Sequence, residues 1–147
     1  MSLETVFLVC NYGVLPAWLL LAAAPKAPIT SAVVHATWIP LVLAAVYAGG
    51  MATAPPPPEG ASFFTLGGVQ LFLSQPHGAL VGWVHYLAFD LFVGAWEVRD
   101  AARRGINHLI VIPCLLFTLM LGPIGLGLYA IVRFTTGHGA ALEEAAD

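Results

Sequence analysis

Asp90 and Glu97 stand seven residues apart in an apolar stretch, Gly82 to Glu97, with His85 five residues before Asp90. Carboxylates and imidazoles are the side chains that donate and accept protons near neutral pH. Helical spacing puts Trp83, Tyr86, Asp90, Val93 and Glu97 on one stripe, because residues three, four and seven apart return to the same face. His85 falls about 140° round the helix from Asp90 by the 3.6-residue repeat. The two cannot form a same-face pair, and each needs a partner on another helix. Candidate partners are Asn11, at about the depth of Asp90, His35, toward the level of Glu97, and His108. The available chemistry is proton transfer, with Asp90, His85, His35 and Glu97 as candidate catalytic groups. Asn11, Trp83, Tyr86, Trp96, Gly122 and Pro123 are candidates to line the substrate. The competing readings are structural. Asp90 and Asn11 would be interhelical glue, Glu97 would snorkel toward Arg99 or Arg103, and the aromatics would be packing or interface anchors.

Other chemistries lack equipment. The sequence contains no His cluster at the spacing a membrane di-iron site needs, no Gly-rich phosphate loop after a strand, no Cys-x-x-Cys and no Ser-His-Asp order. No cofactor and no metal are expected.

The elements that hold these residues must sit in lipid. The 147 residues are 59% apolar and 9% charged, with a mean hydropathy of +0.87. A soluble domain is about a quarter charged, so five Lys/Arg and eight Asp/Glu are too few to cover a soluble surface. This excludes an ordinary soluble enzyme, a disordered chain and a basic nucleic-acid binder. The pattern predicts an all-α, polytopic membrane protein with four transmembrane helices, near 3–24, 30–50, 79–98 and 108–134. Each is long enough for the roughly 20 residues that crossing requires. A short interfacial or re-entrant helix is expected at 63–73, between the second and third, with a greasy loop as the alternative. The four-helix transmembrane domain covers residues 1–137, and an acidic disordered tail covers 138–147. Pro16 falls in the first span, Pro40 in the second, and Pro113 and Pro123 in the fourth. Pro123 follows Gly122 near mid-depth, where a break would expose backbone that only protein or a cavity can satisfy. A plain kink is the alternative.

Orientation follows the Lys/Arg bias. Lys26, Arg99, Arg103 and Arg104 fall in the first and third loops, and Arg133 alone falls on the other side. Both termini are therefore expected on the non-cytoplasmic side. Ala22 to Ala24 has a cleavage-site look, but Glu4 stands where a signal peptide would be positive, so the first span is read as retained. Cys10 and Cys114 read as buried packing residues.

Two stretches carry a resemblance. His85-Tyr86-Leu87-Ala88-Phe89-Asp90-Leu91-Phe92-Val93-Gly94-x-Trp96, followed by Pro113 to Leu126, resembles the abscisic-acid-deficient-four-like family of small four-span membrane proteins. Its plant members are plastid proteins needed to make neoxanthin from violaxanthin. Their transit peptide has no Arg/Ser-rich counterpart here, so the resemblance implies a bacterial-type member in the inner membrane. It also implies an isoprenoid substrate such as a carotenoid. Turning an epoxy-carotenoid into an allenic alcohol changes no oxidation state: an acid opens the epoxide and a base takes a proton from the polyene. Two readings follow. One is a cofactor-free isomerase, or an accessory to one. The other is a non-enzymatic carotenoid-, quinone- or lipid-binding or enzyme-supporting protein. A proton or ion pathway ranks last, because Asp90 stands alone at mid-depth. Expected partners are an apolar isoprenoid lipid, membrane lipid, and a second copy or other membrane enzymes, with no nucleic acid.

Overall fold

The computed structural model describes residues 1–139, and these are helical wherever they are regular. In chain order the helices are α1 (Leu3–Gly13), α2 (Leu15–Ala23), α3 (Pro28–Thr30), α4 (Trp38–Ala52), α5 (Leu66–Leu73), α6 (Pro76–Arg103), α7 (His108–Leu121) and α8 (Pro123–Thr135). A wide π-turn, Ser31–His35, joins α3 to α4. Three helical runs are long and apolar enough to cross a membrane: Leu3–Ala23, Pro28–Ala52 and Pro76–Arg103.

Local chemistry sets the ends and the breaks. Ser2 caps α1 by accepting the Thr5 N–H at 3.1 Å, and Glu4 lies in the first turn, where a negative charge suits the helix dipole. Pro40 has no N–H to offer and its ring crowds the carbonyl four residues back. The chain before it gives up α-helical geometry: the π-turn ends at His35, and Thr37 takes a left-handed φ of 63°. The short apolar segment forms α5, whose Thr65 cap accepts from Gly68 N–H at 3.1 Å. Gly67-Gly68 does not break it. Gly68 lies hard against Ser62, where a side chain would collide with backbone.

The chain groups into two compact units. The first comprises Met1–Leu15 and Ile39–Phe89. Inside it, Trp83 stacks on Tyr86 with centroids 5.2 Å apart and lies 6.0 Å from Phe7. His85 stacks on Phe89 at 4.5 Å and tilts toward Tyr47.

The second unit comprises Pro16–Trp38 and the chain from Asp90 onward. Trp18 of α2 packs on Gly94 of α6, so closely that a Cβ there would lie 2.6 Å from the indole. Leu115 also touches this contact, and Leu21, Leu91, Ala95, Val111 and Tyr129 are buried in the same unit. The expected fourth span is not one helix. It is α7 and α8, of 14 and 13 residues, divided at Gly122. Gly122 has φ 44°, the left-handed side that favours glycine, and Pro123 follows as the first residue of α8.

The chain reverses at Gly122 rather than bending. Gly122 lies beside Asp90 and Thr118 beside Glu97, so α7 runs antiparallel to α6. Tyr129 and Arg133 then reach Asp100, so α8 returns parallel to α6. Gly125 allows the hairpin, because its missing side chain is the space in which Thr118 sits. At 1.5 Å per residue, each arm spans about 20 Å, short of a bilayer core of about 30 Å. Arg133, expected far from the other cations, lies with Asp100 and Arg104. The tail expected from residue 138 lies, from residue 140 on, outside the described residues.

Candidate functional site

The stripe read from the sequence meets the hairpin at two carboxyl groups. Asp90 packs against the turn itself: a Cβ built on Gly122 would stand 2.8 Å from Asp90 Oδ1. Gly122 precedes the first turn of α8 and has no side chain to cap it. Asp90 therefore places a carboxylate at the electropositive N-terminal end of a helix, a favourable position for negative charge. A structural role for Asp90 follows from this geometry alone.

Glu97 lies two helical turns further along α6 and is fully buried. Thr118 Oγ1 donates to its Oε1 at 2.9 Å. Its Oε2 is buried and has no hydrogen-bond partner among the described residues. A buried polar atom is costly to leave without a hydrogen bond, which singles out this oxygen. The snorkelling expected of Glu97 does not occur, because the side chain turns inward to Thr118.

Asp100 and Tyr129, two residues absent from the sequence reading, build a second polar group with arginines that it did name. Asp100 is buried on α6. Its Oδ2 accepts the Tyr129 hydroxyl at 2.7 Å and lies 3.3 Å from Arg133 Nε. Arg104 Nε donates to both carboxylate oxygens at 3.0 Å, and Arg103 stands 3.7 Å away. Trp96 belongs to this group: Tyr129 meets it edge-on at 5.4 Å, and the Arg133 guanidinium lies 5.9 Å from its ring centre. Tyr129 and Arg133, four residues apart on α8, carried a same-face signal that the sequence reading left aside.

The remaining candidates are elsewhere. Asn11 accepts the Trp83 indole N–H at 3.0 Å within the first unit, together with Tyr86. His85 is exposed there beside Phe89. In the second unit His35 turns to the Pro25 carbonyl, 3.3 Å from its Nε2, rather than to Glu97. His108 reaches the Ala22 carbonyl at 3.0 Å. The structure thus brings Asp90, Glu97, Trp96, Gly122 and Pro123 into one unit with Thr118, Asp100 and Tyr129. No group of three His, Cys, Asp or Glu among the described residues could hold a metal ion.

A family model described as ABA DEFICIENT 4-like matches residues 5–129, a stretch that takes in the α6 stripe, the Gly122-Pro123 turn and Tyr129. The chain belongs to the ABA DEFICIENT 4-like family. Membership links it to neoxanthin and abscisic acid biosynthesis. Searches of curated proteins and of solved structures give no match.

Proposed function

We propose that this ABA DEFICIENT 4-like protein acts in a membrane, the inner membrane of a bacterium, on a carotenoid or related isoprenoid lipid. Its reaction is a cofactor-free isomerisation by acid and base. The observation that carries this reading is Glu97, a fully buried carboxyl group with one oxygen held by Thr118 and the other without a hydrogen-bond partner among the described residues. A neutral carboxylic acid in a low-dielectric setting donates a proton to an epoxide oxygen as the C–O bond breaks. A carboxylate on the same stripe, Asp90, removes a proton from the adjacent polyene carbon. One proton is given and one is taken, so substrate and product are isomers and no cofactor is consumed. Asp90 and Glu97 are the catalytic pair, with Gly122 and Pro123 shaping the wall beside them. His85 and His35 are not needed in this scheme.

A second reading is favoured by the position of Asp90 at the start of α8, which a structural role explains without chemistry. The protein would then hold a carotenoid or similar lipid for another membrane enzyme. One experiment separates the two. The protein is expressed in a host that makes epoxy-carotenoids, and both the pigment profile of the cells and the pigment bound to purified protein are analysed. A new isomeric carotenoid that disappears in Glu97→Gln supports catalysis. Bound pigment with an unchanged profile supports the carrier. An unchanged profile with no pigment on the purified protein overturns both.

The hairpin also bears on orientation. We place the Lys26, Arg99, Arg103 and Arg104 loops in the cytoplasm, the amino terminus outside, and the carboxyl-terminal end of α8 in the cytoplasm. The α7–α8 pair then enters the membrane and leaves on the same side.

A further inference from the structure

The first unit holds a cavity of about 430 Å³ that the acid–base scheme does not use. Small-molecule sites occupy roughly 300–1,000 Å³. The cavity lies where two of the long apolar runs end, α4 closing at Ala52 and α6 beginning at Pro76. Pro55 to Pro58 form one wall, and it is stiff because each ring fixes its φ. Phe63 and Phe72 form another, with ring centroids 5.0 Å apart. The chain behind these walls is fastened. Ala61 N–H donates to the Pro58 carbonyl at 3.0 Å. Gly68 and Gly78 sit where a Cβ would collide with the backbone of Ser62 and of Phe72.

The polar side chains of the lining are few: Ser62, Gln75 and His77. The Ser62 hydroxyl accepts the Phe64 N–H at 3.1 Å and keeps its own proton to give. Gln75 Nε2 donates to Ser74 Oγ at 3.3 Å, which leaves the amide oxygen as an acceptor. His77 makes no hydrogen bond among the described residues, and a neutral imidazole carries one donor and one acceptor. No Lys, Arg, Asp or Glu stands among the lining residues. A phosphate or carboxylate would find no Lys or Arg there, and an ammonium no carboxylate. The lining fits a neutral, mostly apolar body that carries an oxygen. Phe64 and Leu66, which are 97% and 85% exposed, follow Phe63 in the chain and mark this end of the unit as one that meets lipid.

We propose that this cavity binds the oxygen-bearing ring of a neutral, lipid-soluble molecule. The ring lies against Phe63, Phe72 and the prolines, and its oxygen takes the hydrogen bonds that Ser62, Gln75 and His77 leave open. A ring hydroxyl uses an acceptor and a donor of this set, and a keto oxygen uses its donors alone. The choice of a carotenoid as the first probe rests on the isoprenoid reading. Neither Asp90 nor Glu97 lines the cavity.

The full-length protein, with isotope-labelled histidine, is followed by NMR in nonionic micelles of fixed concentration. The His77 signal is the one that disappears in His77→Gln. Zeaxanthin and β-carotene share one skeleton and differ in the ring hydroxyls, and decylubiquinone carries a keto-bearing ring on another tail. Zeaxanthin should move the His77 signal saturably, with a midpoint at least tenfold below that of β-carotene. Gln75→Leu should raise the midpoint of the ring that binds about three- to tenfold, the loss of one hydrogen bond. Gln70→Leu makes the same change on exposed α5 outside the lining and should alter it less than twofold. Saturation by zeaxanthin alone assigns a carotenoid ring, by decylubiquinone alone a quinone ring, and by both the chemistry they share. No saturable movement with either overturns the proposal. So do equal midpoints for zeaxanthin and β-carotene, or a Gln70→Leu loss equal to that of Gln75→Leu. The His77 response should be unchanged in Glu97→Gln, so loss of the isomeric product and loss of this site are distinct results.

Discussion

Arg133, near the end of the last helix, lies with its Nε 3.3 Å from Asp100 Oδ2, and it is as buried as the core aliphatics around it. Asp100 is one turn from the end of α6, next to the cations of the loop that follows. An α8 that crossed the membrane away from that loop could not make this contact. A reporter that is active only in the cytoplasm, fused to the carboxyl-terminal end, should therefore give strong signal. The same reporter at the amino terminus should be silent. Silence at the carboxyl terminus would mean that α7 and α8 cross as one span.

The Asp100 cluster should be the most sensitive part of the second unit. Removing one partner of a buried ion pair costs about 3–5 kcal/mol, because the other charge is left without compensation. Asp100→Asn and Arg133→Leu should each lower the thermal unfolding midpoint in detergent strongly. Tyr129→Phe removes one hydrogen bond to a charged group and should cost about 1.5–3 kcal/mol. Equal, small shifts for all three would show that the cluster is solvated.

The hairpin turn gives a graded series. Gly122→Ala places a methyl group against Asp90 at a left-handed φ, and should cost about 1–3 kcal/mol. Gly125→Ala collides with the Thr118 backbone and should cost more. Gly127→Ala meets nothing within 4 Å and should be neutral or slightly stabilising, since alanine favours helix. Thermal midpoints of the three variants check the order. A Gly127→Ala loss as large as that of Gly125→Ala would count against the α7–α8 packing.

What was legible in the sequence follows from what lipid makes costly. Three long runs were visible, because a crossing helix must be apolar for about 20 residues. The stripe of Asp90 and Glu97 was visible, because a helix period fixes it. The reversal at Gly122-Pro123 was not. Both arms are apolar throughout, so hydropathy reads 108–134 alike whether the chain kinks or turns back. Arg133 was misplaced for the same reason: counting charges by loop presupposes the number of crossings. Asp100 and Tyr129 were passed over because a carboxylate beside three arginines reads as loop, and a lone tyrosine as an interface anchor. Only the fold shows that they meet.

Glu97 offers the test that separates chemistry from architecture. Glu97→Gln keeps the length of the side chain, and its amide oxygen still accepts from Thr118 Oγ1, so the fold should lose little. An amide cannot give up or take back a proton in the required range, so any reaction that uses this carboxyl as its acid should stop. Thr118→Val is the complementary change: it leaves the carboxyl in place but removes the hydroxyl that orients it. A catalytic Glu97 predicts near-complete loss of the isomeric product in Glu97→Gln and a partial loss in Thr118→Val, with both proteins folded in detergent. Asp90→Asn adds the contrast. Asparagine serves at a helix N-terminus almost as well as aspartate, so a purely structural Asp90 tolerates it in both stability and product. A base at that position loses the product while the protein stays folded. If Glu97→Gln and Asp90→Asn both remain folded and fully active, neither carboxyl moves a proton. The pair then serves only to hold the α7–α8 turn against α6, and the carrier reading takes its place.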